Sequence, residues 1–173
     1  MWNYEKRLEY PVNIKTPNAK LASYIISQYG GPDGELSAST RYLSQRFSAY
    51  NPRVAGLLTD IGTEELAHFE MIGAIVRQLT KGLSAQELEA AGFAPYYIDH
   101  TAGIWPQAAG GIPFNACIFQ SSGDAVADPI RFLREREIVH FQCFGEELRM
   151  VQEDLDSRNI YAFNADFDCF GNK

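Results

Sequence analysis

Residues 52–81, PRVAGLLTDIGTEELAHFEMIGAIVRQLTK, decide the fold, because they predict one long helix with a continuous inner face. Asn51 and Pro52 are typical of an N-cap and a first helical residue, and Gly82 is suited to close the far end. The side chains that recur at steps of three and four share one side of this helix; they are Leu58, Ile61, Glu65, His68, Ile72, Ile75 and Leu79. A carboxylate and an imidazole therefore occupy two positions of an otherwise aliphatic seam.

A second predicted helix, from about Pro129 to Leu155, repeats this pattern. Glu137 and His140 stand three residues apart in it, as Glu65 and His68 do in the first helix. The predicted inner positions follow nearly the same steps as before; they are Leu133, Glu137, His140, Phe144, Leu148, Val151 and Leu155. The chain has three histidines, and two of them lie in these seams.

Two Glu-x-x-His pairs that face one interior indicate a bound metal ion. A carboxylate buried without a partner costs several kcal/mol, so its burial demands a positive charge. Carboxylate and imidazole ligands suit manganese or iron, and zinc less selectively. Helical bundles that bind two iron or manganese ions combine two such pairs with single Glu residues from other helices. Glu35, just beyond the Gly-rich break at residues 30–34, is the candidate for a single Glu.

Each of these features also has a structural interpretation. One Glu-x-x-His pair alone is more often a solvated or satisfied ion pair, and only the presence of two pairs in phase with apolar seams favours a metal. Glu64, four residues before His68, competes with Glu65, although the phase of the seam favours Glu65. His100 is interpreted as a polar loop histidine rather than a ligand. Arg134 and Arg136 are expected to be solvated or to lie between subunits.

The remaining sequence predicts a single domain over residues 1–173. Residues 1–17 form an extended N-terminal segment, and Asn18 caps a helix that runs to the Gly-rich break. A further helix follows the break, to about Phe47. Residues 83–128 are expected to form a long loop rich in Gly, Pro and aromatic residues, with one short helix at a capping-box pattern, and such loops are usually functional or intersubunit. Residues 156–173 are expected to be a packed aromatic tail.

Composition restricts the partners. The net charge of −7 argues against nucleic acid or an anionic membrane surface, since both require basic patches. The cysteines, Cys117, Cys143 and Cys169, form no CxxC pair, so a reducing cytoplasm is the simplest compartment. We expect no signal peptide and no transmembrane helix, because no apolar run is long enough.

Four segments, in order, resemble the manganese catalase family, and within it the shorter bacterial spore-coat proteins of the JC type. The resemblance covers nearly the whole chain and implies a ferritin-like four-helix bundle. It also implies two manganese ions that disproportionate hydrogen peroxide to water and dioxygen. The segments are YGGPDGELSASTRYLSQRF (29–47), GLLTDIGTEELAHFEMIGAIV (56–76), GIPFNACIFQSSGD (111–124) and RFLREREIVHFQCFGEELRMVQEDLDS (131–157).

The resemblance also implies a role for each candidate residue. Glu35 corresponds to a terminal carboxylate ligand, and Glu65 corresponds to the carboxylate that bridges both metals. His68 and His140 correspond to terminal ligands, one on each metal. Glu137 corresponds to an acid/base group beside the bridging solvent.

The chain departs from the family pattern at one point. In the family, the segment around SSGDAVAD leads into a further long helix that carries a Glu ligand. Here DAVADP runs directly into IRFLREREIVH, so this third bundle helix is missing. We therefore expect an all-α, ferritin-like helical bundle that is incomplete, with three long helices and a long Gly/Pro/aromatic loop. Either Glu137 or a neighbouring subunit would supply the missing carboxylate.

Two functions follow from the sequence. The first is a manganese-dependent, non-haem catalase with two manganese ions, although iron suits the same ligands. The alternative is a spore-coat structural or assembly protein whose metal site is degenerate or partly loaded. The expected partners are hydrogen peroxide, further copies of this chain and other spore-coat proteins, in the cytoplasm or in the spore coat.

Overall fold

The computed structural model describes residues 7–93 and 124–169, with side chains as far as residue 157. Every regular element in these residues is an α-helix, which agrees with the predicted all-α class. The chain divides into two compact units, Met1–Glu137 and Ile138–Lys173, and the boundary falls within the last helix. The helices are α1 (Ala19–Ile25), α2 (Ser27–Gly30), α3 (Glu35–Gln45), α4 (Pro52–Leu79), α5 (Ala85–Ala90) and α6 (Asp124–Cys169).

Helix α4 begins where its capping signals predict and ends close to its predicted limit. The Asn51 side chain accepts a hydrogen bond from the backbone of Arg53, and Pro52 is the first helical residue. The helix ends at Leu79, two residues before the predicted limit. Gly82 then takes a φ of +80°, a left-handed conformation that glycine adopts without steric cost.

The helix predicted to precede the Gly-rich break consists of two pieces. The Asn18 side chain caps α1 by accepting a 2.9 Å hydrogen bond from the backbone N–H of Leu21, as predicted. Helix α1 stops at Ile25, and the single turn of α2 follows. The Ser27 hydroxyl donates to the carbonyl oxygen of Tyr24 at 3.0 Å, a local bond of the kind that competes with the helical ladder.

The short helix α5 has the predicted capping box. The Ser84 side chain accepts from the backbone of Glu87, and the Glu87 carboxylate accepts from the backbone of Ser84. Gly92 follows with a φ of +75°. Most of the long loop predicted at residues 83–128 lies outside the described residues, but residues 124–128 are helical rather than loop.

Helix α6 is longer than predicted at both ends. It begins at Asp124 and ends at Cys169, whereas the sequence favoured Pro129 and Leu155. Pro129 therefore lies inside the second helical turn, where its ring removes one backbone donor close to the helix start. Residues 156–169 continue the helix beyond its predicted end, and the predicted packing of the aromatic tail stays a prediction.

An N-terminal strap, residues 7–18, runs along α4. The Gln78 side chain accepts from the backbone of Ile14 at 2.6 Å and donates to the carbonyl of Val12 at 2.9 Å. The backbone N–H of Asn18 donates to the carbonyl of Leu79 at 2.7 Å. Beneath the strap, one apolar core joins α1, α4 and the first turns of α6. Its members include Leu21, Ala22, Ile25, Met71, Ile72, Ile75, Leu79, Ile130 and Leu133.

Among residues 7–93 and 124–169, no helix combines the length and the apolar character that a bilayer crossing requires.

Candidate metal centre

Helix α4 buries Glu65 and His68 in its apolar seam, as its periodicity predicts. The Glu65 residue is 1% exposed and the His68 residue 0% exposed. All the aliphatic positions assigned to this face are also buried; they are Leu58, Ile61, Ile72, Ile75 and Leu79. The helix therefore presents an ionisable pair to the protein interior.

Helix α3 brings Glu35 to the same place. Glu35 is the first residue of α3 and is 5% exposed. The hydroxyl of Ser39, one turn later, donates a 2.7 Å hydrogen bond to the carbonyl of Gly62 in α4. A Cβ atom at Gly62 would lie 2.9 Å from the side chain of Leu43, so glycine permits the two helices to approach closely. This contact fixes Glu35 against α4.

Three carboxylates converge on one nitrogen of His68. The Nδ1 atom lies 3.0 Å from Oε2 of Glu65 and 3.9 Å from Oε2 of Glu35. It also lies 3.4 Å from Oε1 of Glu137, which α6 supplies. Helices α3, α4 and α6 therefore each contribute one of the predicted carboxylates to the surroundings of His68.

Two further carboxylates face the other nitrogen of His68. The Nε2 atom lies 3.6 Å from Oε2 of Glu9 in the strap and 3.6 Å from Oε1 of Glu64. Arg136 donates two hydrogen bonds to the Glu64 carboxylate, one of them from Nη2 to Oε2 at 3.0 Å. The expectation that Arg136 is solvated or intersubunit is therefore wrong, because its guanidinium joins α6 to α4.

The structure places Glu64 and Glu65 at different ring nitrogens of His68, and each belongs to a group of donor atoms that could hold a metal ion. Glu65 lies on the Nδ1 side of His68 and Glu64 on the Nε2 side. Neither Glu9 nor Arg136 was expected at this site. Glu9 is distant in sequence, and Arg136 stands in a charged run that resembles a solvated surface.

Burial and mutual repulsion perturb the titration of this cluster. Desolvation and the neighbouring negative charge of Glu65 raise the pKa of Glu35 well above its usual value. Burial lowers the pKa of His68, but hydrogen bonds to Glu137 and Glu65 and the charges of the carboxylates outweigh it, and its pKa rises to about 10. Desolvation and the charges of Glu65 and Glu137 raise the pKa of Tyr42. The cluster therefore attracts positive charge strongly.

The donor set fits a transition-metal ion. Ligand atoms of Glu65, His68 and Glu137 lie within 4.8 Å of one another, close enough to share an ion. Oε1 of Glu35 is buried and has no hydrogen-bond partner among the described residues. A buried carboxylate oxygen without a donor is costly unless a cation compensates it. Carboxylate oxygens with one imidazole match the preferences of manganese and iron.

The fifth predicted residue, His140, lies in the second unit. It follows Glu137 by three residues in the uninterrupted helix α6, on the same side of that helix, and is 4% exposed.

Further along α6 the predicted inner face is partly wrong, because Leu148 and Leu155 are exposed. Glu147, which the sequence did not single out, is buried instead, seven residues after His140. Its spacing of seven residues from the candidate ligand His140 is the sequence signal that could have identified Glu147.

Comparison with known proteins gives a consistent picture. A family model described as manganese containing catalase matches residues 1–130. CotJC of Bacillus subtilis is 42% identical, with 93% of this chain and all of CotJC covered. A probable manganese catalase of Clostridium acetobutylicum is 32% identical, with 92% of this chain and 85% of that protein covered. The crystal structure of KatB, a manganese catalase from Anabaena, superposes with a TM-score of 0.73 at 26% identity, covering 87% of this chain and 81% of KatB.

The same comparisons show that this chain lacks residues that a relative has. The CotJC alignment has 190 positions, and the matched 93% of this chain fills about 161 of them, so about 29 positions fall opposite gaps. In this chain the junction DAVADPIRF lies within the continuous helix α6, with no loop between its two parts. This agrees with the predicted loss of one bundle helix from a ferritin-like fold. Both the family match and the identity over nearly the whole chain show that the chain belongs to the manganese-containing catalase family.

Proposed function

We propose that this chain is a manganese-dependent, non-haem catalase that converts hydrogen peroxide to water and dioxygen. The observation that carries this proposal is the convergence of Glu35, Glu65 and Glu137 on Nδ1 of the buried His68. Three carboxylates around one desolvated imidazole nitrogen are costly unless positive charge compensates them, and a bound cation would supply it. Family membership supports manganese, and the same donor atoms would also accept iron.

The proposed site holds two manganese ions. Glu35 and His68 would be terminal ligands of one ion, His140 a terminal ligand of the other, and Glu65 would bridge them. A bound manganese pair supplies two-electron redox chemistry, so that of two peroxides one is reduced to two waters and the other is oxidised to dioxygen. The protein excludes bulk water from this chemistry, because Glu35, Glu65 and His68 are nearly inaccessible to solvent.

Glu137 is proposed to carry protons between the site and solvent. Its Oε1 atom is buried and faces His68, whereas 37% of its side chain is exposed. A carboxylate with one oxygen in the site and contact with water can accept a proton on one side and release it on the other. The same oxygen lies near enough to Glu65 and His68 to ligate directly, which would compensate for the carboxylate lost with the missing helix.

The decisive experiment measures metal content and oxygen release together. The chain is expressed in manganese-supplemented medium, purified, and analysed for manganese per chain and for dioxygen evolved from peroxide. We expect about two manganese ions per chain and dioxygen release, as the two-metal class of helical bundle implies. Glu65→Gln should abolish both. Glu70→Gln, an exposed position on the same helix, is the matched control and should change neither.

Histidine variants test the ligand assignment independently. His68→Ala should remove metal and activity, whereas His100→Ala should remove neither. Equal and minor losses in the two variants would contradict the assignment.

The second candidate function is a structural or assembly role in the spore coat. The absence of about 29 aligned positions favours it, since the sequence predicts that one bundle helix is missing. The exposed apolar side chains Ile138, Phe141, Leu148 and Leu155 on α6 also favour it, because such surfaces commonly meet a partner. The partners would be further copies of this chain and other coat proteins. One manganese ion or none per chain, without dioxygen release, would establish this alternative over the enzyme.

A further inference from the structure

His68 is held between two groups of carboxylates, one at each ring nitrogen. Glu65, Glu137 and Glu35 lie within 3.9 Å of Nδ1, and Glu9 and Glu64 lie 3.6 Å from Nε2. A neutral imidazole carries hydrogen on only one nitrogen, and the other nitrogen presents the lone pair that a metal requires. The neighbours of the two nitrogens therefore decide which of them can bind a metal.

We propose that Glu64, held by Arg136, is a positioning residue that keeps His68 in the Nε2–H tautomer and so directs Nδ1 to the metal. This inference rests on the proposed function in one respect, namely that a metal binds among Glu35, Glu65 and Glu137. Histidines that ligate metals generally donate their second ring N–H to a carboxylate or a carbonyl, which fixes both tautomer and orientation. The sequence alone offered Glu64 only as a rival of Glu65.

The geometry separates the roles of the two adjacent glutamates. Glu65 is buried on the Nδ1 side, where the three helices each contribute a carboxylate. The Glu64 side chain is 21% exposed, on the opposite side of the ring and one helical turn before His68. An ion at Nδ1 would repel a proton on that nitrogen, so the hydrogen must reside on Nε2. The carboxylates of Glu9 and Glu64, both 3.6 Å from Nε2, would accept this hydrogen on a slightly closer approach.

Arg136 gives Glu64 a fixed orientation. A guanidinium that donates two parallel hydrogen bonds holds a carboxylate in one plane, which a lysine cannot do. Arg136 immediately precedes Glu137 in α6. Two adjacent residues of α6 therefore act on opposite sides of the ring. Glu137 places a carboxylate near Nδ1, and Arg136 holds the Glu64 carboxylate that faces Nε2. Glu9 of the strap is the second carboxylate at Nε2 and has to be included in any test.

The test uses Zn²⁺, a diamagnetic ion, bound to full-length chain labelled with ¹⁵N-histidine. Long-range ¹H–¹⁵N correlation spectra distinguish a ring nitrogen that carries hydrogen from one that binds metal, and the signals of His68 are those lost in His68→Gln. We expect metal at Nδ1 and hydrogen at Nε2. Metal at Nε2 would overturn this inference while leaving the proposed function intact. Failure of the chain to bind either Zn²⁺ or Mn²⁺ would overturn both.

Metal affinity provides the second readout. Glu64→Ala should weaken Zn²⁺ binding by about 10- to 100-fold, the usual effect of removing a carboxylate behind a ligating histidine. Glu64→Gln, which retains an acceptor oxygen, should restore part of the affinity. Because Glu9 can accept in place of Glu64, the double variant Glu9→Ala/Glu64→Ala should lose at least as much as the single one. Unchanged affinity in the double variant would overturn the inference.

A variant with the charges of Glu64 and Arg136 exchanged distinguishes two roles of this ion pair. The pair either orients His68 or only joins α4 to α6. Glu64→Arg/Arg136→Glu restores an ion pair between α4 and α6 but places a cation beside Nε2. If the pair only joins the helices, this variant should bind Zn²⁺ like the wild type, and the inference fails. If Glu64 orients His68, affinity stays low even where denaturation shows that stability has recovered. Arg136→Gln, which retains the Glu64 carboxylate, should weaken binding less than Glu64→Ala, whether or not the reversed variant folds.

Discussion

Metal removal should lower the thermal stability of this chain by an amount that the site geometry predicts. Glu35 belongs to α3, and Glu65 and His68 to α4, so their ligand atoms converge only in the folded state. An ion that binds only the folded state stabilises it by RT ln(1 + [L]/Kd), about 2.7 kcal/mol at 100 times Kd and about 4.1 kcal/mol at 1,000 times Kd. For a chain of 173 residues, each kcal/mol corresponds to roughly 2–4 °C in Tm. The expected loss on chelation is therefore about 5–16 °C.

The assay compares unfolding midpoints of the manganese-loaded and the chelator-treated chain, followed by circular dichroism, with bound manganese measured in parallel. Glu65→Gln should abolish the difference, because it removes a central carboxylate. Glu70→Gln, exposed on the same helix, should retain it in full. The reasoning would be refuted if wild-type chain with measured bound manganese unfolded at the same midpoint as the stripped chain. A full shift in Glu65→Gln would refute it as well.

Three further predictions concern pH, helix packing and association. In the metal-free chain the pKa of His68 is raised from 6.5 to about 10, so the stability that its proton contributes is fully present below about pH 6.5 and is lost as pH rises towards 10. Denaturant midpoints should fall across that window for the wild type but not for His68→Gln, and a fall of equal size in both would contradict the assignment. Ser39→Ala removes a buried 2.7 Å hydrogen bond to α4 and should cost about 1 kcal/mol in the free energy of unfolding, measured by urea denaturation; no loss would show that this bond does not hold α3. The exposed Phe141 and Leu148 predict an oligomer by light scattering, which Phe141→Asp/Leu148→Asp should reduce in mass, whereas a monomeric wild type would refute this.

The first half of the site was predictable because local signals agree with one another along α4. Asn51 and Pro52 mark its start, and a single apolar period runs from Leu58 to Leu79. A polar side chain within such a period has to be buried, so Glu65 and His68 could be assigned from phase alone.

The extent of α6 was not predictable in the same way. Pro129 resembles a first helical residue, because a proline beyond the first turn removes a backbone hydrogen bond of the helix, yet the helix begins at Asp124. At the other end, Asp156 and Ser157 resemble a stop, although no proline or glycine follows them before Gly171. The helix continues to Cys169 because nothing in this stretch breaks it.

The residues on the Nε2 side of His68 could also not be predicted from the sequence. Glu9 lies 59 residues before His68 and Arg136 lies 68 residues after it, and neither occupies an apolar seam position. Contacts between distant segments depend on how helices pack, whereas periodicity reports only which face of one helix is buried. For this reason the carboxylates on the Nδ1 side of the imidazole could be predicted, and the residues on the Nε2 side could not.

The number of residues between the two partners of each contact bears on the order of folding. The bond between Ser39 and Gly62 closes a separation of 23 residues, whereas the strap bonds to Gln78 span 64 and 66 residues and the Arg136 bonds to Glu64 span 72. Since the entropy of loop closure rises with the length of the loop, the hairpin of α3 and α4 is favoured to form first. Glu35, Glu65 and His68 all belong to that hairpin. An ion that reaches the nascent hairpin would therefore meet three of the five proposed site residues already in place, and the docking of α6 would then add Glu137.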